Sequence, residues 1–311
     1  MRVTNASYAD RLVANLGNMT TRLARYQNQI ATGKRIALPE DDPSAVRRTL
    51  DLEAERGRLG QYGRNITRLK ETATTTQTVM RSLTKIATRA SEIAVKANSV
   101  RSADDLKAYA AEVTQMIHQA VSSANVNLRG DAVLAGTRNG QLAFSVTLGA
   151  DGSVQAVTYN GNQNVPALEI AEGQDLVAGV VGSNPAGSGP AGLTQDPRSG
   201  ADLFGHLIQL QDQLLAGNGA AVTSTTAVGL QADVDNLLRH VAANGVVQGR
   251  LEAADASVGD RLLALESQIS GETDVDLAKA LVQLNQVQLS YQAALQTAGK
   301  TMTMSLMDYI R

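Results

Sequence analysis

The sequence contains no cysteine and no tryptophan, and aromatic residues make up only 3% of its 311 positions. Without cysteine the chain has no disulfide framework, no thiolate nucleophile and no cysteine-bound zinc. Ligand pockets and interface hot spots usually depend on aromatic side chains. The composition therefore disfavours an enzyme that acts on a small molecule, and we expect no catalytic residues, no metal and no cofactor.

Long apolar runs are also missing. No stretch approaches the roughly 18 consecutive apolar residues of a membrane span, so we expect no membrane insertion. The first ten residues are polar and lack the apolar region of a secretory signal peptide. By default this predicts a cytosolic protein, or else one that is exported by a route that needs no cleaved signal.

The net charge of −2 conceals an uneven distribution. Residues 1–101 hold 18 basic and 9 acidic groups, and residues 102–311 hold 10 basic and 21 acidic groups. A basic segment can bind nucleic acid, or it can pack against acidic segments of the same chain or of a neighbour. The basic residues stand singly and are not interleaved with aromatic residues, which favours the second interpretation and predicts no nucleic-acid partner.

What the sequence does have is an apolar stripe with heptad spacing near each end. Such a stripe predicts a helix that needs a partner helix to cover it. The N-terminal stripe consists of Leu12, Leu16, Met19, Leu23, Tyr26 and Ile30. The C-terminal stripe consists of Leu277, Leu281, Leu284, Gln288, Tyr291, Leu295, Ala298 and Met302. We take the large apolar residues of both stripes, together with Leu306, as the candidate assembly interface.

Between the two stripes the sequence predicts further helices. Gly33 ends the first helix. Asp41, Asp42 and Pro43 form a helix-start loop, in which Asp42 is the N-cap and Pro43 takes the first helical position. A very long helix follows over residues 44–98, although three glycines near its start could interrupt it.

A capping box of Ser102 and Asp105 predicts the start of a third helix. Helical spacing returns over residues 203–214 and again over 227–270. Three histidines, His118, His206 and His240, stand in no metal-binding frame, and we expect them on helix surfaces.

A β-rich insert lies between these helices, over residues 137–200. Alternating apolar residues predict strands over residues 144–148, 154–159 and 168–170, separated by Gly-containing turns. The stretch 179–192 is rich in Gly, Pro and Ser and predicts a loop.

The predicted fold is mainly α with a small β-rich insert (α+β). It is an elongated antiparallel helical rod whose N- and C-terminal helices pair in a coiled coil, with a central β domain. The predicted domains are terminal coiled-coil assembly segments (1–43 with 272–311), a helical rod (44–136 with 201–271) and a β-rich outer insert (137–200).

Two local motifs resemble a known family. The N-terminal stripe is followed by Ala-Thr-Gly-Lys-Arg-Ile at residues 31–36 and by Pro-Glu-Asp-Asp-Pro at residues 39–43. This order is similar to the signature of the bacterial flagellin superfamily. The Asp-Asp-Pro form and the Ser-Leu-Met-Asp-Tyr-Ile ending at residues 305–310 resemble the hook–filament junction branch of that superfamily more than flagellin.

The resemblance implies a structural protein of the bacterial flagellum that is not an enzyme. It implies export through the flagellar type III pathway without a cleaved signal peptide and assembly into a homo-oligomeric ring through the terminal helices. The implied partners are the preceding hook-associated protein on the hook side, flagellin on the filament side and an export chaperone. Flagellin itself is the nearest alternative, and a cytosolic coiled-coil module is a more distant one.

Overall fold

The computed structural model describes residues 5–97, 102–138, 140–218 and 222–309, with the backbone alone for residues 5–9, 223, 224 and 301–309. Six α-helices account for most of the described chain. They are α1 (Asn5–Thr32), α2 (Pro43–Ala97), α3 (Ala103–Ala124), α4 (Leu203–Leu215), α5 (Ala227–Thr273) and α6 (Leu277–Tyr309). A short π-helix (Val222–Thr226) precedes α5. The described residues contain no helix that is both long and apolar enough to cross a membrane.

Short strands fill the segment between α3 and α4. They are β1 (Asn127–Leu128), β2 (Asp131–Ala132), β3 (Phe144–Leu148), β4 (Val154–Tyr159), β5 (Leu168–Ala171), β6 (Gln174–Leu176), β7 (Val181–Ser183), β8 (Gly192–Asp196) and β9 (Ala201–Asp202). The pairs β1–β2, β3–β4, β5–β6 and β8–β9 are antiparallel, whereas β7 and β8 are parallel. The predicted fold class, mainly α with a small β-rich insert, is confirmed.

The predicted very long helix is confirmed, and two other local predictions need correction. Helix α2 is continuous over 55 residues and passes through the glycines at 57, 60 and 63. Ser102 is the N-cap of α3, but its side chain makes no capping hydrogen bond, so the predicted capping box is absent. Asp104 and Asp105 lie in the first turn of α3, where the helix dipole favours negative charge. Residues 181–183, predicted as loop, form β7 because they pair with a strand that begins only at Gly192.

The contacts divide the chain into two units, and the division falls within α2 and within α5. The first unit comprises Met1–Arg58 with Asp260–Arg311, and the second comprises Leu59–Gly259. The second unit contains the largest cluster of buried apolar side chains, drawn from α2, α3, α4, α5 and the strands. The predicted three-part division at residues 137 and 200 stays a prediction.

An aromatic cluster lies at the centre of the second unit. The Phe144 ring is 5.2 Å from that of Tyr159 and 5.1 Å from that of Phe204, measured between centroids. The Tyr159 hydroxyl oxygen is 2.9 Å from the Leu134 carbonyl oxygen. A Cβ at Gly182 would lie 2.7 Å from the Tyr159 ring, so only glycine fits beside this cluster.

His206 and His240 are not simple surface residues, contrary to the prediction. His206 Nδ1 is 2.8 Å from a carboxylate oxygen of the buried Asp233, and this hydrogen bond raises the pKa of His206. His240 Nε2 is 3.1 Å from the Gly192 carbonyl oxygen, and burial lowers the pKa of His240. Each ring bonds to a residue that is distant in the sequence, which explains burial that helical spacing alone did not indicate.

Gln211 joins three elements of the second unit although it is a buried polar residue. Its Oε1 accepts hydrogen bonds from the Thr114 hydroxyl at 2.9 Å and from the Val154 amide at 3.2 Å. Its Nε2 donates to the Val154 carbonyl oxygen at 3.1 Å. One side chain on α4 thereby fixes the first residue of β4 and the middle of α3.

We expect Gln211→Leu to lower the free energy of unfolding by about 1–3 kcal/mol, because it removes the partners of buried polar groups of Val154. Urea denaturation followed by circular dichroism at 222 nm measures this loss. Gln209→Leu is the matched control, because Gln209 is exposed on the same helix; it should change stability by no more than about 0.5 kcal/mol. Equal effects of the two substitutions would contradict the role given to Gln211.

Candidate assembly surface at the terminal helices

Helix α1 presents its predicted stripe to α6, and the two helices pack together within the first unit. All six stripe residues are partly buried, whereas almost every residue between them is exposed. They are Leu12, Leu16, Met19, Leu23, Tyr26 and Ile30. One partner helix therefore covers this stripe only in part.

The side of α6 that is buried differs from the predicted stripe. We call it the α6 seam, and it keeps alternating steps of four and three residues. It consists of Ala280, Leu284, Val287, Tyr291, Ala294 and Ala298. Of the predicted interface residues, Leu284 and Tyr291 lie in the seam, while Leu277, Leu281 and Leu295 remain 50%, 48% and 45% exposed. The side chains of Met302 and Leu306 lie outside the described part of the chain.

A second apolar surface of α6 points away from the seam. We call it the outer face, and its large side chains are Val282 and Leu289, while the exposed Leu281 and Leu295 lie between it and the seam. Val282 and Leu289 are 66% and 68% exposed and lie seven residues apart, on the side of the helix opposite the seam. Charge is scarce here, because Lys279, Lys300 and Asp308 are the only charged residues of α6.

The residues that follow α1 meet the end of α5 and the linker to α6 in a short backbone contact, which we call the joint (residues 33–35 and 273–275). The Arg35 amide donates to the Thr273 carbonyl oxygen at 2.7 Å, and the Val275 amide donates to the Gly33 carbonyl oxygen at 2.9 Å. Gly33 has a φ of +69°, which favours glycine and ends α1. The joint thus resembles one rung of an antiparallel β-ladder.

Ion pairs surround the joint. Lys34 Nζ is 2.8 Å from the Asp274 carboxylate, and the Arg35 guanidinium donates to the Glu272 carbonyl oxygen at 2.8 Å. Arg48 donates through two nitrogens to both carboxylate oxygens of Glu272, at 3.0 and 2.8 Å. These groups are about half exposed, so salt should weaken the pairs.

The helix-start loop has the predicted capping geometry. Pro43 is the first residue of α2, and the Asp42 carboxylate accepts a hydrogen bond from the Ala45 amide at 3.0 Å. This bond is the largest cause that lowers the pKa of Asp42 to about 2. Asp41 accepts a hydrogen bond from the Leu38 amide at 3.0 Å, which lowers the pKa of Asp41. The acidic loop therefore stabilises the start of α2.

The uneven charge distribution allows ion pairs to form within the chain. In both units, basic residues from the first third form ion pairs with acidic residues that lie later in the sequence. These pairs are Lys34–Asp274, Arg48–Glu272, Lys70–Asp255 and Arg89–Glu112. The geometry agrees with the interpretation that basic helices pack against acidic segments of the same chain. The described residues contain no cluster of three or more potential metal ligands.

The fold and these faces define a class: a mainly helical protein whose terminal helices pair with each other and expose further apolar surface. Residues 3–139 match the family model for the bacterial flagellin N-terminal helical region. Flagellar hook-associated protein 3 of Salmonella typhimurium is 25% identical over 97% of this chain and 96% of its own length. The Escherichia coli protein of the same name is 23% identical over 94% of this chain and 96% of its own length.

Solved structures share the fold. The crystal structure of Bacillus cereus FlgL matches with a TM-score of 0.56 and 18% identity, covering 71% of this chain and 99% of that one. The flagellar junction protein FlgL of Legionella pneumophila matches with a TM-score of 0.52 and 15% identity, covering 73% of this chain and 99% of that one. The resemblance to the flagellin superfamily is confirmed, and within it the chain resembles hook-associated protein 3 rather than flagellin.

The joint makes a testable prediction about titration. The pKa of Asp274 is lowered to about 2, chiefly by the hydrogen bond from Lys34. Because this pKa lies below the ordinary value of 3.8, the contact stabilises the folded joint above about pH 4, and its contribution is lost as the pH falls towards 2. We expect Lys34→Gln to raise the pKa of Asp274 towards its ordinary value, measured by NMR titration of the side-chain carboxyl carbon.

Asp42 is the internal control for that titration. Its low pKa depends first on the Ala45 amide and not on Lys34, so it should stay near 2 in the Lys34→Gln protein. If Asp274 also stayed near 2, the ion pair with Lys34 would not be the main cause of its shift.

Proposed function

We propose that this protein is a structural component of the bacterial flagellum that forms the junction between hook and filament by polymerising through its terminal helices. The relatives that match nearly the whole chain support this role, since both are flagellar hook-associated protein 3. They favour the junction role over the flagellin alternative. A structural role without enzymatic activity agrees with the relatives, which are flagellar components.

One observation carries the proposal: the terminal helices leave apolar surface exposed on both sides of their contact. The α1 stripe is only partly buried by α6, and the outer face of α6 has no cover within the described residues of the first unit. An exposed apolar surface on a helix with as few charges as α6 is typical of a protein–protein contact. The occupant that we propose is the terminal helix pair of a second copy of this chain.

The assembly surface contains both predicted and additional residues. We assign to it the α1 stripe, together with Leu281 and Leu295 from the predicted set, and we add Val282 and Leu289 from the outer face. The terminal segments 1–43 and 272–311 would build the ring. The helical segments 44–136 and 201–271 would form its wall, and residues 137–200 would form an outer insert.

A position between the hook and the filament implies a different partner on each side. We propose a homo-oligomeric ring that contacts the preceding hook-associated protein on the hook side and flagellin on the filament side. An export chaperone would cover the terminal helices before assembly, because apolar faces of this kind favour premature association. Export would use the flagellar type III pathway without a cleaved signal peptide.

Electron microscopy tests the proposal directly. Purified protein is incubated with hooks that already carry the preceding hook-associated protein, and flagellin is then added. We expect a short cap that stops growing and then permits flagellin to extend a filament. Long filaments of this protein alone would make it a flagellin. No attachment to competent hooks would favour the cytosolic coiled-coil alternative.

Deletion of residues 277–311 should leave a folded second unit that cannot join flagella, because the buried core of that unit lies between residues 79 and 237. Circular dichroism of the purified variant and electron microscopy of flagella measure the two effects. Normal incorporation of the shortened chain would contradict a role for α6 in assembly.

A single substitution on the outer face separates assembly from folding. Leu289→Asp should reduce the assembled fraction at least about tenfold, because a carboxylate without a partner in an apolar contact costs more than the ~1.4 kcal/mol that a factor of ten represents. Sedimentation of assembled material measures this. Leu263→Asp is the control, because Leu263 is equally exposed but lies on α5. Leu284→Asp, in the seam, should abolish assembly too.

The helicity and stability of the unassembled chain distinguish Leu289→Asp from Leu284→Asp. Leu289→Asp should leave the helicity of the unassembled chain unchanged, because Leu289 is 68% exposed. A large loss of stability in the unassembled Leu284→Asp chain would show that α1 and α6 already pair before assembly. Normal assembly of Leu289→Asp would exclude the outer face as the contact.

A further inference from the structure

The apolar contact between α1 and α6 repeats every seven residues. A shift of α1 by one heptad places Leu16 where Leu23 was and Met19 where Tyr26 was. The α6 seam behaves in the same way, because Leu284 and Tyr291 also stand seven residues apart. Helices that are displaced by seven residues would therefore still bring apolar residues against apolar residues.

Small residues make the seam still less selective. Ala280, Ala294 and Ala298 provide no large side chain that would fit only one opposing cavity. In other coiled coils a single polar contact often selects one register among several that are nearly equal in apolar burial. The first unit has such a non-repeating contact at one end of the helix pair.

The joint supplies that contact. Its two backbone hydrogen bonds hold Gly33 beside Val275 and Arg35 beside Thr273. Gln29, which is only 7% exposed at the end of the α1 stripe, donates its Nε2 to the Arg35 carbonyl oxygen at 2.8 Å. None of these partners recurs seven residues away, so a displaced pairing would lose all of them.

Hydrogen bonds from arginine side chains hold the two segments of the joint together. Arg35 bonds to the Glu272 carbonyl oxygen, and Arg48 on α2 holds the Glu272 carboxylate with two hydrogen bonds. The end of α5, just before the linker to α6, is thereby tied to α2 as well as to the residues that follow α1. We infer that the joint, and not the apolar seam, sets the register of α1 on α6, with Arg35 and Glu272 as its positioning residues.

The absence of cysteine allows a clean cross-linking test on the full chain. Counting ten residues outward from Gly33 and from Val275 along antiparallel helices brings Leu23 level with Asn285, next to the seam residue Leu284. The pair Leu23→Cys with Leu284→Cys reports the observed register. Leu16→Cys or Ile30→Cys, each combined with Leu284→Cys, reports a displacement by seven residues in one direction or the other. Oxidation followed by mass spectrometry of the intramolecular disulfide gives the yield of each.

Two changes weaken the joint by different means. Arg35→Gln with Glu272→Gln removes the Arg35 guanidinium and the Glu272 carboxylate that Arg48 holds, and Val275→Pro removes the amide that bonds to Gly33. Arg56→Gln is the matched control, because Arg56 forms an exposed ion pair with Glu53 within α2 and away from the joint.

We expect the observed-register disulfide to dominate in the chain with an intact joint and in the Arg56→Gln control. In both joint variants the ratio of displaced to observed disulfide should rise about tenfold, the change expected from losing roughly two ordinary hydrogen bonds. The observed register persisting alone in both joint variants would overturn the inference. It would also fail if cross-linking vanished without any displaced product, or if the intact chain did not form the Leu23–Leu284 pair.

Discussion

A stripe of apolar residues with heptad spacing needs to be covered, and one partner helix covers only part of it. This constraint governs both ends of the chain. The α1 stripe from Leu12 to Ile30 remains partly exposed even though α6 packs along it. Helix α6 has apolar side chains on its outer face as well as in its seam. Further helices are the simplest way to cover both surfaces, which is why a polymer of this chain is physically reasonable.

The terminal helices α1 and α6 lie far apart in the sequence. Their contact therefore depends on the intervening elements, which bring the end of the chain back beside its start. Lys34 and Asp274 are separated by 240 positions and still form an ion pair. Arg48 and Arg261 link the start of α2 to the end of α5 through Glu272 and Glu55. Closing so long a segment is costly in entropy, and these pairs, together with the backbone bonds of the joint, oppose that cost where α1 and α6 begin to pair.

The sequence pattern identifies the partly buried side of α1 more clearly than that of α6, and the difference has a physical cause. On α1 the large apolar residues form one stripe, so their spacing identifies the buried side. On α6, Leu and Val occupy neighbouring stripes, and the spacing that includes Leu277 and Leu281 is as regular as the spacing that is buried. The buried stripe of α6 is the one that contains Ala280 and Ala298, because their small side chains allow close approach of α1. The sequence does not reveal this stripe, since alanine contributes little to a hydrophobicity pattern.

Sequence periodicity could not predict several other features, because these depend on contacts with residues that are distant in the sequence. The strand at residues 181–183 exists because β8 pairs with it in parallel, and its own Gly-rich neighbourhood signals a loop. Gln211 and His206 look like ordinary helical residues until their partners, Val154 and Asp233, are known. The motifs at residues 31–43, in contrast, were informative because the joint and the N-cap at Asp42 use local residues whose types the backbone restricts.

The distribution of charge connects the fold with the proposed role. Four basic residues of the first third form ion pairs with acidic residues beyond residue 101, as Lys70 does with Asp255. The outer face of α6 is left with few charges to keep it soluble. A surface that is apolar, nearly uncharged and helical is costly to expose to water. Such a surface is stable only when it is covered, which a ring of identical copies would do for every subunit at once.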